Sequence, residues 1–151
     1  DEGETSPSNN SSVVLLVRTP DGDVLLTADA GMPALHHVVT HATGLGMDLS
    51  ACRFQQVPHH GSKRNIGPTL LDILIGPRGA ERSKISTCVS APKKGRPKHP
   101  SNKVTNAYKR RGANVYSTEG TNFLFPLGST PNRPDYVAAT PLDYDFEQED
   151  E

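Results

Sequence analysis

Apolar runs broken by turn-forming residues divide the chain into short elements. "SSVVLLVR" (11–18) and "DVLLT" (23–27) flank "TPDGD", where Pro20 and the Asp21-Gly22 pair supply turn geometry, and together they predict a β-hairpin. "PALHHVVTHATGLG" (33–46) starts at Pro33 and ends in glycines, which predicts a helix of about three turns. "CRFQQV" (52–57) predicts a strand that leads into the histidine doublet of "PHHGS", and "PTLLDILIG" (68–76) a short helix opened by Gly67-Pro68 and closed at Gly76. "KISTCVSA" (84–91) is β-branched enough for a buried strand. "SNKVTNAYKRRG" (101–112) predicts a helix with Ser101 as N-cap, Val104, Ala107, Tyr108 and Arg111 on one face, and Gly112 as its stop. Two more strands are predicted at "NVYST" and "TNFLF", around Glu119-Gly120.

Strands alternating with helices make this an α/β chain, a sheet with flanking helices, in which function belongs to the loops at strand ends. The expected organisation is a flexible linker over 1–10, one folded unit over 11–126 and a disordered acidic tail over 127–151. With 34% hydrophobic residues, no Trp, and 13 each of Gly and Pro among 151 residues, the core is expected to be lean and loop-rich. There is no apolar run of the roughly 20 residues a membrane span needs, and "DEGETSPSNN" does not have a signal peptide's pattern, so a soluble, cytoplasmic protein is expected. Cys52 and Cys88 lack CxxC spacing and lie in apolar runs, as buried free thiols do.

The net charge of −1 hides a marked segregation. Ser62 to Thr118 carries thirteen lysines and arginines against two acids, Asp72 and Glu81, a net of +11, while the acids gather at the two ends. A polyanionic partner, nucleic acid or a phosphorylated substrate, fits that middle segment; a solvated surface balanced by the tails is the plainer reading.

Three loops carry residues capable of chemistry. Asp29, after "LLTA", is a lone carboxylate among small residues, able to bridge cations. His59 and His60 follow a strand end, where neutral imidazoles can ligate a borderline-soft ion such as Zn²⁺, with Gly61 and Ser62 leaving room and a hydroxyl beside them. His99 precedes Pro100 and a helix start, a place suited to phosphate.

These features occur together and in order: an Asn-x-Ser at Asn10 and Ser12 that starts the hairpin, Asp29 at a strand end, "HHGS" from His59 to Ser62, and His99-Pro100. In this combination the stretch from about Asn9 to Phe125 resembles the metallo-β-lactamase-fold hydrolases, in the branch related to the hydrolase domain of the competence protein ComEC. The resemblance implies an αββα sandwich built of two similar halves, of which this stretch matches the second, a mixed sheet with flanking helices. It also implies a site of two metal ions, Zn²⁺ or alternatively Mn²⁺, with Asp29 bridging them, His59 or His60 completing one shell, and the other histidine as a second ligand or an outer-shell partner. Ser62, Lys63, Arg64 and His99 are then candidates for gripping phosphate.

The family's first metal motif, His-x-His-x-Asp-His, occurs nowhere in the 151 residues, and His36, His37 and His41 on the predicted helix do not replace it. The expected function is therefore part of a metal-dependent hydrolase acting on a phosphodiester or nucleic acid. Its expected partners are a first half of the domain or a second copy meeting it through the sheet. The alternatives are a non-catalytic basic fragment that binds nucleic acid or a partner, and a truncated reading frame.

Overall fold

The computed structural model describes residues 5–79, 85–92, 98–131 and 133–146. Its elements are α1 (Pro7–Asn10), β1 (Leu15–Thr19), β2 (Gly22–Leu26), α2 (Met32–Gly44), β3 (Phe54–Gln56), α3 (Pro68–Leu74), β4 (Ser86–Val89), α4 (Asn102–Lys109) and β5 (Asn114–Ser117). The strands form one mixed sheet in the order β1-β2-β3-β4-β5, with the first pair antiparallel and the other three pairs parallel. This is an α/β fold with flanking helices.

The hairpin forms where the Pro20-Asp21 turn allows, with the Thr19 hydroxyl donating to Gly22 O at 2.7 Å and Arg18 paired across the strands with Asp23 at 3.4 Å. The parallel strands need crossovers, and α2, α3 and α4 supply them.

One register row runs through all five strands: Leu16, Leu25, Gln55, Thr87 and Val115. From Leu25 to Val115 this row is buried, and it faces the helices, where Leu35, Leu70, Leu74, Val104 and Tyr108 complete the core. Gln55 is a polar residue at the centre of this face. Its amide donates to Leu49 O at 2.9 Å and to Leu74 O at 2.6 Å, the latter a carbonyl at the C-terminal end of α3 that has no partner within its helix. Arg111, two residues past the end of α4, is likewise buried and is balanced by Asp72, 2.8 Å from its Nε. Cys52 and Cys88 are buried free thiols.

The opposite face is finished differently. The expected strand at "TNFLF" does not form: among the described residues, 121–125 has no ladder partner. Phe123 instead packs on Tyr116 (5.0 Å between ring centroids) and Phe54 (6.0 Å), and Phe125 packs on Phe54 (5.1 Å). The segment thus crosses the sheet from β5 past β3 and reaches Asp21 of the hairpin turn at Gly128. A chain running across the strands buries aromatic rings but cannot align its backbone for pairing. Beyond its reach, Val13, Leu15 and Val17 at the β1 edge stay exposed.

Residues 7–10, within the stretch read as a linker, form α1, whose Asn9 O accepts from Gly31 N at 3.1 Å. Residues 142–146, within the stretch read as a tail, lie along α4. Leu142 N donates to Val115 O at 2.7 Å, Tyr144 OH meets Arg110 at 2.9 Å, and Asp145 exchanges hydrogen bonds with Asn106 and accepts from Asn102. Ser101 occupies the N-cap of α4 without a side-chain capping bond. Among the described residues, no helix is long and apolar enough to cross a membrane. Six charged residues of the basic middle, Glu81, Arg82, Lys84, Lys93, Lys94 and Arg96, lie outside the described residues.

Candidate functional site

The parallel strands β2, β3 and β4 end at the same edge, and the loops leaving them meet there, as they do at ligand-binding edges of open α/β sheets. After β2, Thr27 and Ala28 donate their N–H groups to the Gln56 side-chain oxygen at 3.1 and 3.0 Å, and the Thr27 hydroxyl donates to Gln56 O at 2.9 Å. This clamp holds Ala28 at a left-handed φ of 47° and sets Asp29 outward. After β3, His59 and His60 also adopt left-handed φ values, 44° and 56°. Non-glycine residues seldom adopt such angles, and each costs on the order of 1 kcal/mol or more. The surroundings compensate: His59 N donates to Ala28 O at 3.0 Å, joining the two loops, and Ser62 N donates to His59 O at 3.0 Å.

The left-handed turn fans the two imidazoles apart, with ring centroids 5.8 Å apart and planes at 68°. The rings therefore have different surroundings. His60 Nε2 lies 3.6 Å from Asp29 Oδ1, while its Nδ1 sits 2.6 Å from the carbonyl oxygen of Ser90, just past β4. A carbonyl only accepts, so Nδ1 carries the proton and donates, and in the neutral ring Nε2 turns a lone pair toward Asp29. A lone pair facing a carboxylate calls for a cation between them, either a proton or a metal ion. Two ligands of one tetrahedral Zn²⁺, each about 2.1 Å from it, stand about 3.4 Å apart. The 3.6 Å separation and the carbonyl-tied Nδ1 fit two positions of such a shell.

His59 faces the other way, into a cleft of about 650 Å³ that it shares with Ser62, Lys63, Arg64, Asn65 and His99. Its Nδ1, like that of His99, is buried and has no hydrogen-bond partner among the described residues. Burial, with added repulsion from the His60 and His59 imidazoles, holds His99 below the ordinary histidine range. Ser62 Oγ accepts from Arg64 N at 3.3 Å, closing the turn that presents Lys63 and Arg64. Gly61 fastens this loop to the next one: its φ is 76°, its carbonyl accepts from Ser101 N at 3.1 Å, and a Cβ there would stand 2.7 Å from Pro100 Cβ.

Thus the chain brings Asp29 and His60 together, and sets His59, Ser62, Lys63, Arg64 and His99 around the adjacent cleft. Among the described residues, no group of three or more His, Cys, Asp or Glu is placed to hold a metal ion. His37 and His41 are exposed on α2, and neither is among the residues that line the cleft. Three positioning groups were not singled out from sequence: Gln56, Asn65 and the Ser90 carbonyl. Gln56 had a visible signal as a polar residue closing an apolar strand. Buried Asn65 donates to Ala30 O at 3.3 Å, tying the doublet loop to the Asp29 loop. A backbone carbonyl such as that of Ser90 leaves no sequence signal. No family model matches the chain, and neither a curated protein nor a solved structure matches it.

Proposed function

We propose that this chain supplies one half of a two-metal hydrolase site for phosphodiesters, in a metallo-β-lactamase-like αββα architecture. The observation that carries the reading is the Asp29–His60 pair: 3.6 Å between Oδ1 and Nε2, with the His60 tautomer set by Ser90 O. Asp29 and His60 would hold the metal, His60 rather than His59 because only its free nitrogen faces the carboxylate. Bound Zn²⁺ or Mn²⁺ supplies Lewis acidity toward a phosphoryl oxygen and acidifies water. The residues of the chain do the rest. Gln56 and Asn65 hold the Asp29 and doublet loops in register, Gly61 keeps the doublet loop against the His99 loop, and Lys63 and Arg64 offset phosphate charge.

The remaining ligands, in a His-x-His-x-Asp-His arrangement, come from a segment other than these 151 residues, and the exposed Val13, Leu15 and Val17 at the β1 edge offer it an apolar surface. A second reading, a basic binding fragment without catalysis, is favoured by the cationic cleft alone.

Zinc titration of the purified chain by calorimetry separates them. One weak site, lost in Asp29→Ala and His60→Ala but kept in His59→Ala, is expected. Turnover of a phosphodiester should be negligible until a first-half segment is added. Zinc binding unaffected by Asp29→Ala and His60→Ala would overturn the hydrolase reading.

A further inference from the structure

The cleft beside His59 has properties that metal ligation does not use. Lys63, Arg64 and Lys98 line it together with Ser62, Asn65 and Ser101, and none of its described lining residues is acidic. Elsewhere in the described chain, buried or cross-strand cations meet carboxylates, as Arg18 meets Asp23 and Arg111 meets Asp72. Among the described residues, Lys63, Arg64 and Lys98 form no ion pair. Three cations and several hydroxyl and amide donors thus face one concavity, and no carboxylate among its described lining residues satisfies them.

We propose that this cleft is a phosphate subsite for a nucleic-acid strand, holding the backbone next to the phosphate that meets Asp29 and His60. Calling its occupant the neighbour of the scissile phosphate rests on the hydrolase reading, whereas the binding itself does not.

Charge and size select the ligand. A phosphodiester carries one negative charge, so three cations match successive phosphates of a strand better than one isolated group. A volume of about 650 Å³ admits a nucleotide-sized unit. None of the described lining residues is Phe, Tyr or Trp, and the only rings in the described wall are the smaller imidazoles of His59 and His99, so cations outnumber stacking surfaces there. Contacts to phosphate alone position a strand without reading its bases, so the subsite accepts any sequence.

The test is binding of fluorescent eight-nucleotide oligothymidylate and oligoadenylate to the full chain, by anisotropy, in a chelator so that metal plays no part. Three neutralised phosphates on a single strand predict about a twentyfold loss of affinity between 50 and 200 mM salt. The Lys63→Ala/Lys98→Ala variant, with both side chains on the surface, should unfold at the same urea concentration as the parent. It should bind at least about tenfold more weakly at 50 mM salt, and its affinity should fall only about threefold over that salt range. The two oligonucleotides should bind within a few-fold of each other. Arg133→Ala, which removes one charge far along the chain, should change little.

Equal effects of Arg133→Ala and of the double variant, or competition by polyglutamate as effective as by the oligonucleotides, would overturn the proposal. Loss of binding in the double variant with zinc titration unchanged supports the subsite alone. Zinc binding that Asp29→Ala and His60→Ala leave unaffected, with oligonucleotide binding by the parent as expected, removes the hydrolase reading and leaves the subsite standing.

Discussion

Replacing Gly61 with alanine tests the junction that holds the doublet loop to the His99 loop. Two costs are expected. The first is conformational: an L-residue at φ 76° is strained by about 1–2 kcal/mol, partly offset because alanine loses less freedom on folding. The second is steric: the new Cβ would stand 2.7 Å from Pro100 Cβ, 3.2 Å from Pro100 Cα and 3.5 Å from Val89 Cγ1. The Pro100 ring and backbone cannot swing away as a flexible side chain could, and the loops must part at an overpacking cost of about 1–3 kcal/mol. Gly46 separates the two costs. It has nearly the same φ, 71°, but a Cβ there meets nothing within 4 Å. Gly46→Ala therefore carries only the conformational cost, and the difference between the variants measures the contact. In urea unfolding with a slope near 2 kcal/mol/M, a difference of about 2 kcal/mol places the Gly61→Ala midpoint about 1 M below that of Gly46→Ala. Parting the loops should also weaken zinc binding in Gly61→Ala and leave it unchanged in Gly46→Ala. Coincident midpoints would mean that the doublet and His99 loops are not packed as described.

Gln55→Leu keeps the shape of the core but takes the Gln55 donor from Leu74 O, while Leu49 O keeps the Cys52 N–H at 3.3 Å, so a loss of about 1–3 kcal/mol is expected by urea unfolding; a neutral effect would show that water reaches the Leu74 carbonyl. Asp72→Ala takes the carboxylate from the buried Arg111 guanidinium, which keeps its bonds to the Ala107 and Pro68 carbonyls, and should cost about 2–3 kcal/mol, toward the low end for a broken buried pair because Asp72 is itself half exposed. Burial raises the thiols of Cys88 and Cys52 from 9.0 to about 11, with Asp23 and then Asp48 adding to the effect at Cys52. At pH 8 both should react with a disulfide reagent on the order of a hundredfold more slowly than free cysteine, and at the ordinary rate once urea unfolds the chain. Because these folded-state values are raised, their contribution to stability is complete below about pH 9 and is lost as pH climbs toward 11, which unfolding midpoints across that range would register.

The elements and their order were legible in the sequence because each rests on local chemistry. Pro20 and Asp21-Gly22 dictate the hairpin turn, Pro33 and Pro68 open helices at positions where a missing N–H is harmless, and the 3.6-residue spacing of Val104, Ala107 and Tyr108 marks the buried face of α4, which Arg111 continues just past its end. Asp29, the doublet and His99 were legible as residues at strand and helix ends. "TNFLF" was misread because its alternation suits a strand equally well whether its rings pack on a sheet face or its backbone joins an edge. Burial of Phe123 and Phe125 against Phe54 decided that outcome, and Phe54 is about 70 residues away in the chain. The different surroundings of His59 and His60 were also closed to sequence. Adjacent histidines are chemically identical, and what separates them is a pair of left-handed backbone angles held by bonds to Ala28 and Ser62 and a carbonyl from a different strand. Local propensity is carried by neighbours in the chain and can be read there, whereas the direction of a side chain at a loop tip is set by contacts between distant segments, which exist only once the sheet has brought its strand ends to one edge.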